Sequence, residues 1–240
     1  MGEPVSRAAP SAPLRGLVLL DDRHRAIARV ALAAAGRKYG VAFAGGGALQ
    51  IHDVSDRRTQ DVDLFVRNAG NVGKAAAVIV DALERAGYRV QVTFADEGLW
   101  ELEVYPLAPV PAAPGGEASE PVQVQVAHFA FSDTVTKDVG PVVTLDYLAA
   151  RKAVAILERH QVRDYVDIAS LVDAGYGIRQ LLAMAFAEEP SLTPEDAGDA
   201  GTHLDRVSDA RLARELPHGK TPAWVRAAFA DWPRHPVHTD

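Results

Sequence analysis

Two clusters of polar residues in this chain have the spacing to act together. The first is Arg57-x-Thr59-x-Asp61-x-Asp63. Polar residues at every second position fall on one face of a strand, while Val62, Leu64 and Val66 fall on the other and can enter a core. Two aspartates side by side on a strand face repel each other, and aspartate is a poor strand former. The arrangement lowers stability unless a cation neutralises it, and a carboxylate pair is what Mg²⁺ accepts alongside substrate phosphates and water. Upstream, the apolar run Val41 to Ala44 meets Gly45, Gly46 and Gly47, and Ala48 to His52 is long enough for a turn or two of helix. The glycines thus stand where a strand hands over to a helix N-terminus. There the backbone N–H groups lack partners, and a missing Cβ leaves room for a phosphate. Taken singly, the glycines read as a tight turn and the aspartates as a solvated strand face. Within one compact unit they point to phosphate and metal.

The second cluster runs Lys152-x-x-Ala155, Arg159, then Arg163-Asp164-x-x-Asp167-Ile168. On a helix Asp164 and Asp167 are three apart and share a face, while Arg159 and Arg163, four apart, share another. Spacing alone describes ion pairs on a solvated helix, each contributing roughly 0.2–0.5 kcal/mol.

Gly45-Gly46-Gly47-Ala48-Leu49 followed by Arg57-x-Thr59-x-Asp61-x-Asp63-Leu64 resembles the motif of the nucleotidyltransferase superfamily in the form carried by AbiEii/AbiGii-type toxins. The Lys152 to Ile168 block resembles the second block of the same toxins, so the likeness covers about residues 40 to 172. It implies an α/β fold: a nucleotidyltransferase-like mixed β-sheet domain, then a helical domain, with the active site in the cleft between them. It implies metal-dependent transfer of a nucleoside monophosphate from an NTP substrate to an acceptor, with Asp61, Asp63, Lys152 and Asp164 catalytic. Asp61 and Asp63 would hold Mg²⁺ or Mn²⁺; Gly45, Gly46, Gly47, Arg57, Thr59 and Lys152 would hold the nucleotide. A lysine suits its place physically, as a compact charge that can meet the leaving pyrophosphate. The resemblance also implies tRNA as acceptor, a toxin–antitoxin setting and a cognate antitoxin partner. Two alternatives stay open: a small-molecule or protein acceptor, and a degenerate, non-catalytic nucleotide-binding module. One departure favours the latter. Where the superfamily usually has a third carboxylate on a later strand, Gln123 and Gln125 stand; glutamine can coordinate through its carbonyl but is no general base. Glu101, Glu103 or Asp164 could substitute.

The elements that must position these residues are legible in outline. A helix capped by Asp21 or Asp22 runs toward Gly36, and a second, KAAAVIVDALERAGY, stops at Gly87. Tyr88–Phe94, Leu99–Tyr105 and the run from Pro121 to Phe129 alternate as strands, giving a mixed sheet of about five strands that ends by Phe131. The rest is helical: one helix capped by Thr144, then VRDYVDIASLVDAG, GIRQLLAMAFAEE and patterns beyond Pro190 weakened by Gly198 and Gly201. The expected domains are 14–140 and 141–232, with tails at residues 1–13 and 233–240 and a Pro/Gly/Ala loop from Pro106 to Pro121. His52 and His128 read as structural, and Trp100, Trp224 and Trp232 as packing residues.

Composition narrows the classes. The 240 residues can bury a good core, and the absence of cysteine excludes disulfides and thiolate ligands or nucleophiles. No apolar run approaches the roughly 20 residues of a membrane helix and no signal-peptide centre is visible, so the expected location is cytoplasmic. A net charge of -7 is the wrong sign for coating nucleic acid over a whole surface. An RNA acceptor would then need a local patch, which Arg151, Lys152, Arg159, His160 and Arg163 supply.

Overall fold

The computed structural model describes residues 22–107 and 120–235. The expected N-terminal tail, the alternative cap Asp21, most of the Pro/Gly/Ala loop and the last five residues lie outside them. Helix α1, Asp22–Tyr39, continues past Gly36 and ends at Gly40, whose φ of +68° supplies the left-handed residue a helix end favours. Strand β1, Val41–Ala44, follows, and then the short helix α2, Gly45–Ile51. Strand β2 is Asp61–Val66 and helix α3 is Val72–Arg85. The hairpin β3, Tyr88–Ala95, and β4, Leu99–Pro106, precedes β5, Val122–His128.

Strands do not stop after Phe131. A second hairpin, β6 (Thr134–Lys137) and β7 (Gly140–Val143), completes a seven-stranded sheet in the order β3-β4-β5-β2-β1-β7-β6. Its strands are four residues long, β6 is exposed throughout and β7 contains a proline, so the runs are too short to stand out as strands in the sequence. Val142 and Val143 anchor β7 in the core, and β7 pairs parallel to β1 and antiparallel to β6. Elsewhere β1–β2, β3–β4 and β4–β5 are antiparallel, while β2–β5 is parallel. The sheet therefore runs to Val143, past the expected end at Phe131.

Six helices follow among the described residues: α4 (Leu145–Arg159), α5 (Val162–Asp173), α6 (Ile178–Glu188), α7 (Pro194–Arg206), α8 (Asp209–Leu212) and α9 (Pro222–Ala228). Thr144 caps α4 as expected, its hydroxyl accepting from the Tyr147 amide at 3.3 Å. Gly198 and Gly201 do not interrupt α7. A Cβ on Gly201 would lie 2.0 Å from the Pro233 carbonyl and 2.9 Å from the Trp232 ring, so here glycine admits a close approach of the returning chain. Of the expected tail, the described residues Pro233 to His235 are held in place: Arg234 pairs with Asp205, and His235 meets Asp199. The tryptophans act as packing residues with a satisfied N–H in two cases, Trp232 to the Ala197 carbonyl and Trp224 to Asp173. His52 and His128 likewise contact backbone carbonyls, of Val143 and Val66.

One apolar cluster extends from Ile27 through the sheet to Phe229 and Trp232, so sheet and helices share a core. Within β2, Val62, Leu64 and Val66 are fully buried, while Asp61, Asp63 and Phe65 share the opposite, partly open face. The helices α1 and α3 pack on each other and on the strands, and α2 bridges β1 and β2 to α4.

Candidate active site

The site is assembled where β1 passes into α2. Gly45 has φ +64°, a conformation costly for any residue with a side chain. A Cβ there would fall 1.7 Å from Asp63 Oδ2, so the Asp63 carboxylate occupies the space that glycine leaves. A Cβ on Gly46 would lie 3.0 Å from Arg57 Nη2 and 3.5 Å from Thr59 Oγ1. The glycine turn, Asp63, Arg57 and Thr59 are thus one packed unit, and Ala44 pairs with Asp63 in the antiparallel ladder. Only the aspartates of the Arg57 to Asp63 series belong to the strand; Arg57 and Thr59 precede it in a loop. Buried polar contacts fix this loop in place of ladder bonds. Gln50 of α2 donates to the Arg57 carbonyl, the Arg57 amide donates to Ser55 Oγ at 3.3 Å, and Ser170 of α5 reaches Ser55 at 3.3 Å.

From the helical half, α4 delivers Lys152 and α5 delivers Asp167, both buried. Lys152 Nζ stands 2.6 Å from Asp167 Oδ2, and Arg57 grips the same carboxylate through Nε at 2.9 Å and Nη2 at 3.3 Å. Burial alone would raise the Asp167 carboxyl, but the charges and hydrogen bonds of Lys152 and Arg57 bring it down to about 2. Arg57 also pairs with Glu215, Nη1 to Oε2 at 3.6 Å, so the charges of this group balance, and Lys152 is its cation that acts on Asp63. Asp63 feels the opposite balance. Part of its surface meets solvent, yet protein atoms crowd it closely enough that burial pushes its carboxyl upward; the Lys152 charge opposes the rise and Asp61 adds to it.

Asp164 lies elsewhere in this network. It is fully buried and held in a two-point pair by Arg159, Nε to Oδ2 and Nη2 to Oδ1, each 2.8 Å. The spacing argument that put Arg159 and Arg163 on one helix face fails because α4 ends between them, at His160 with φ +51°. The two arginines belong to different helices. Arg163, 41% exposed, stands 3.9 Å from Asp61 instead. Nor are Asp164 and Asp167 solvated; both are interior ion-pair partners. Sequence reasoning placed Asp164 in the site and left Asp167 without a role, although the structure brings Asp167 to Lys152. Both aspartates sit in one motif on one helix, and only the turn at His160 decides which of them faces Arg159.

On the other side of the Asp pair, register aligns Asp61 with Gln123 and Asp63 with Gln125, and these glutamines in turn with Glu103 and Glu101. The glutamine amides donate to those glutamates at 3.3 and 3.4 Å. Glu101 and Glu103 therefore stand two strands from the aspartates, roughly 9–10 Å away across the sheet. Among the described residues no group of three or more His, Asp and Glu could hold a metal. Two carboxylates on a hard-oxygen site, with glutamine carbonyls beside them, do fit a Mg²⁺ whose remaining ligands are substrate phosphates and water.

The family model described as "Nucleotidyl transferase AbiEii toxin, Type IV TA system" matches residues 25–226. No curated protein matches the sequence. Among solved structures, JHP933 from Helicobacter pylori is similar with a TM-score of 0.56 at 10% identity, over 88% of this chain and 90% of that one. A putative nucleotidyltransferase from H. pylori gives 0.54 at 12%, over 86% and 91%. The nucleotidyltransferase toxin MenT4 from Mycobacterium tuberculosis gives 0.55 at 15%, over 87% and 82%. At these identities the likeness is one of fold.

Proposed function

Because the chain belongs to the AbiEii nucleotidyl transferase toxin family of type IV toxin–antitoxin systems, we propose that it moves a nucleoside monophosphate from an NTP to a tRNA acceptor and is countered by a cognate antitoxin. The observation that carries this reading is the packing of the Asp63 carboxylate into the space beside Gly45, with Lys152 buried behind it. Phosphates approaching the Gly45–Gly47 turn would meet unpaired backbone N–H groups and the Lys152 ammonium, whose charge already acts on Asp63. Asp61 and Asp63 would hold Mg²⁺ or Mn²⁺, which when bound supplies charge neutralisation to the phosphates. The acceptor hydroxyl oxygen bonds to the α-phosphorus and releases its proton to water as the bond to the bridging oxygen breaks, and pyrophosphate leaves toward Lys152. Asp167 holds Lys152 in place for that role, and Arg57 fixes Asp167.

Incubation with each labelled NTP, Mg²⁺ and total tRNA, beside a control without RNA, tests the reading. Label in tRNA that depends on metal is the expected result. Label in the protein or a small molecule would move the acceptor, and no label in any product would remove transferase activity. A second reading, a binding module without catalysis, is favoured by the glutamines at the strand positions beside Asp61 and Asp63. It is distinguished by NTP binding without any transfer.

A further inference from the structure

Two residues beyond Asp63, on the same partly open face of β2, is Phe65. Its ring centroid lies 4.2 Å from that of Phe129, at an interplanar angle of 33°. Tyr147, in the first turn of α4, meets Phe65 edge-on at 6.4 Å and 89°. The Arg151 guanidinium lies 4.7 Å from the Phe129 centroid. Such a cluster could simply glue α4 to the sheet. Three observations say more. Phe65, Phe129 and Tyr147 all keep part of their surface in solvent. The Tyr147 hydroxyl is buried with no hydrogen-bond partner, a state that lowers stability until something pairs with it. The platform is also continuous with the phosphate site: the strand rise puts Phe65 roughly 7 Å from Asp63, and the adjoining register row carries the exposed Gln125 amide.

We propose that Phe65 and Phe129 form a stacking platform for a nucleobase, with the Gln125 amide and the Tyr147 hydroxyl meeting its polar edge. A base offers a planar face to the rings, stacks beside an arginine, and carries donors and acceptors on its rim, which an apolar occupant does not. The distance to Asp63 suits a nucleoside whose phosphate or hydroxyl is at the Asp pair. The base belongs either to the incoming NTP or to the end nucleotide of the acceptor. This assignment rests on the nucleotide-transfer reading.

Binding of the full-length protein to Mg²⁺ with tripolyphosphate, with each NTP and with total tRNA separates the cases. Phe129→Leu keeps an apolar side chain but removes the ring, Phe129→Tyr restores it, and Tyr147→Phe keeps every ring contact and removes only the hydroxyl. Phe129→Leu is expected to weaken one base-bearing ligand on the order of tenfold, the loss that an absent base–aromatic stack gives, with tripolyphosphate unchanged and Phe129→Tyr near wild type. Tyr147→Phe is expected to weaken the same ligand severalfold. Loss confined to NTP assigns the platform to the incoming nucleotide; loss confined to tRNA assigns it to the acceptor. Wild-type affinity of both variants for every ligand overturns the proposal, as does equal loss for tripolyphosphate, which marks a packing role. A wild-type protein that binds neither NTP nor tripolyphosphate sinks the transfer reading and this proposal with it.

Discussion

Lys152 and Asp164 lie one helix apart and carry the same kind of charge-paired chemistry, yet their surroundings assign them different work. Lys152 shares Asp167 with Arg57, and its charge opposes the rise that burial gives the Asp63 carboxyl. Asp164 has both oxygens committed to Arg159. Lys152→Ala is therefore expected to slow transfer by an amount on the order of 3 kcal/mol, or about a hundredfold. Asp164→Asn should instead cost about 1–3 kcal/mol of stability through the lost charged hydrogen bonds while transfer per folded molecule continues. Thermal melts beside the transfer assay read both. A folded Asp164→Asn protein without transfer would return Asp164 to the reacting centre. Asp167 adds a pH dependence whose sign follows from its position. Its carboxyl falls from 3.8 to about 2 on folding, so its contribution is present above about pH 4 and is lost as pH falls from there toward 2. A shift of that size corresponds to about 2 kcal/mol. Urea titrations between pH 5 and pH 2 should show that fall in the wild type, and a smaller one in Asp167→Asn. Parallel curves for the two proteins would mean that Asp167 is not the group that titrates.

At the scale of the element, the β1–α2 junction depends on one backbone conformation. Gly45→Ala combines a positive φ, which costs roughly 1–2 kcal/mol for a residue with a Cβ, with a clash against the Asp63 carboxylate. The expected outcome is a lower melting temperature together with loss of the additional stabilisation expected from NTP and Mg²⁺, read by thermal shift. An alanine variant that still gains the full ligand-dependent shift would mean that Asp63 need not lie against residue 45. This junction was legible in the sequence because its determinants are local: three glycines, a short apolar strand and alternating aspartates fall within one unit. The hairpin β6–β7 was not, since each strand has only four residues, one exposed throughout and the other carrying a proline, too short a run to establish a period. The same limit hid the role of Asp167. Helical spacing groups Asp164 with Asp167, and only the left-handed residue His160, which turns α5 relative to α4, separates their partners. The Arg57 loop was misread as strand because alternating polar residues look alike whether held by a ladder or, as here, by Gln50, Ser55 and Asp167.

For the molecule as a whole, charge limits how an RNA acceptor can be held. The chain carries 25 lysines and arginines against 32 aspartates and glutamates, and many of the cations that might face a phosphate are already engaged within the fold. Arg25 and Arg29 pair with Asp138, Arg151 with Glu188, Arg159 with Asp164, Lys220 with Asp173, Arg226 with Asp209 and Arg234 with Asp205. The stretch from Arg151 to Arg163, basic when read alone, is thus largely compensated by carboxylates brought from other turns and helices. A tRNA bound to such a surface releases few counterions, and each neutralised phosphate contributes a slope of roughly -0.7 to -0.9 in log affinity against log salt. With about three phosphates neutralised, the slope should be no steeper than about -3, so affinity would fall only about thirtyfold over a threefold rise in salt, far less than for a protein with a broad basic face. Filter binding of labelled tRNA across that range measures the slope directly. A slope near -8 would show that many phosphates are neutralised together, and the acceptor would then lie over a basic surface other than the paired cations around Lys152.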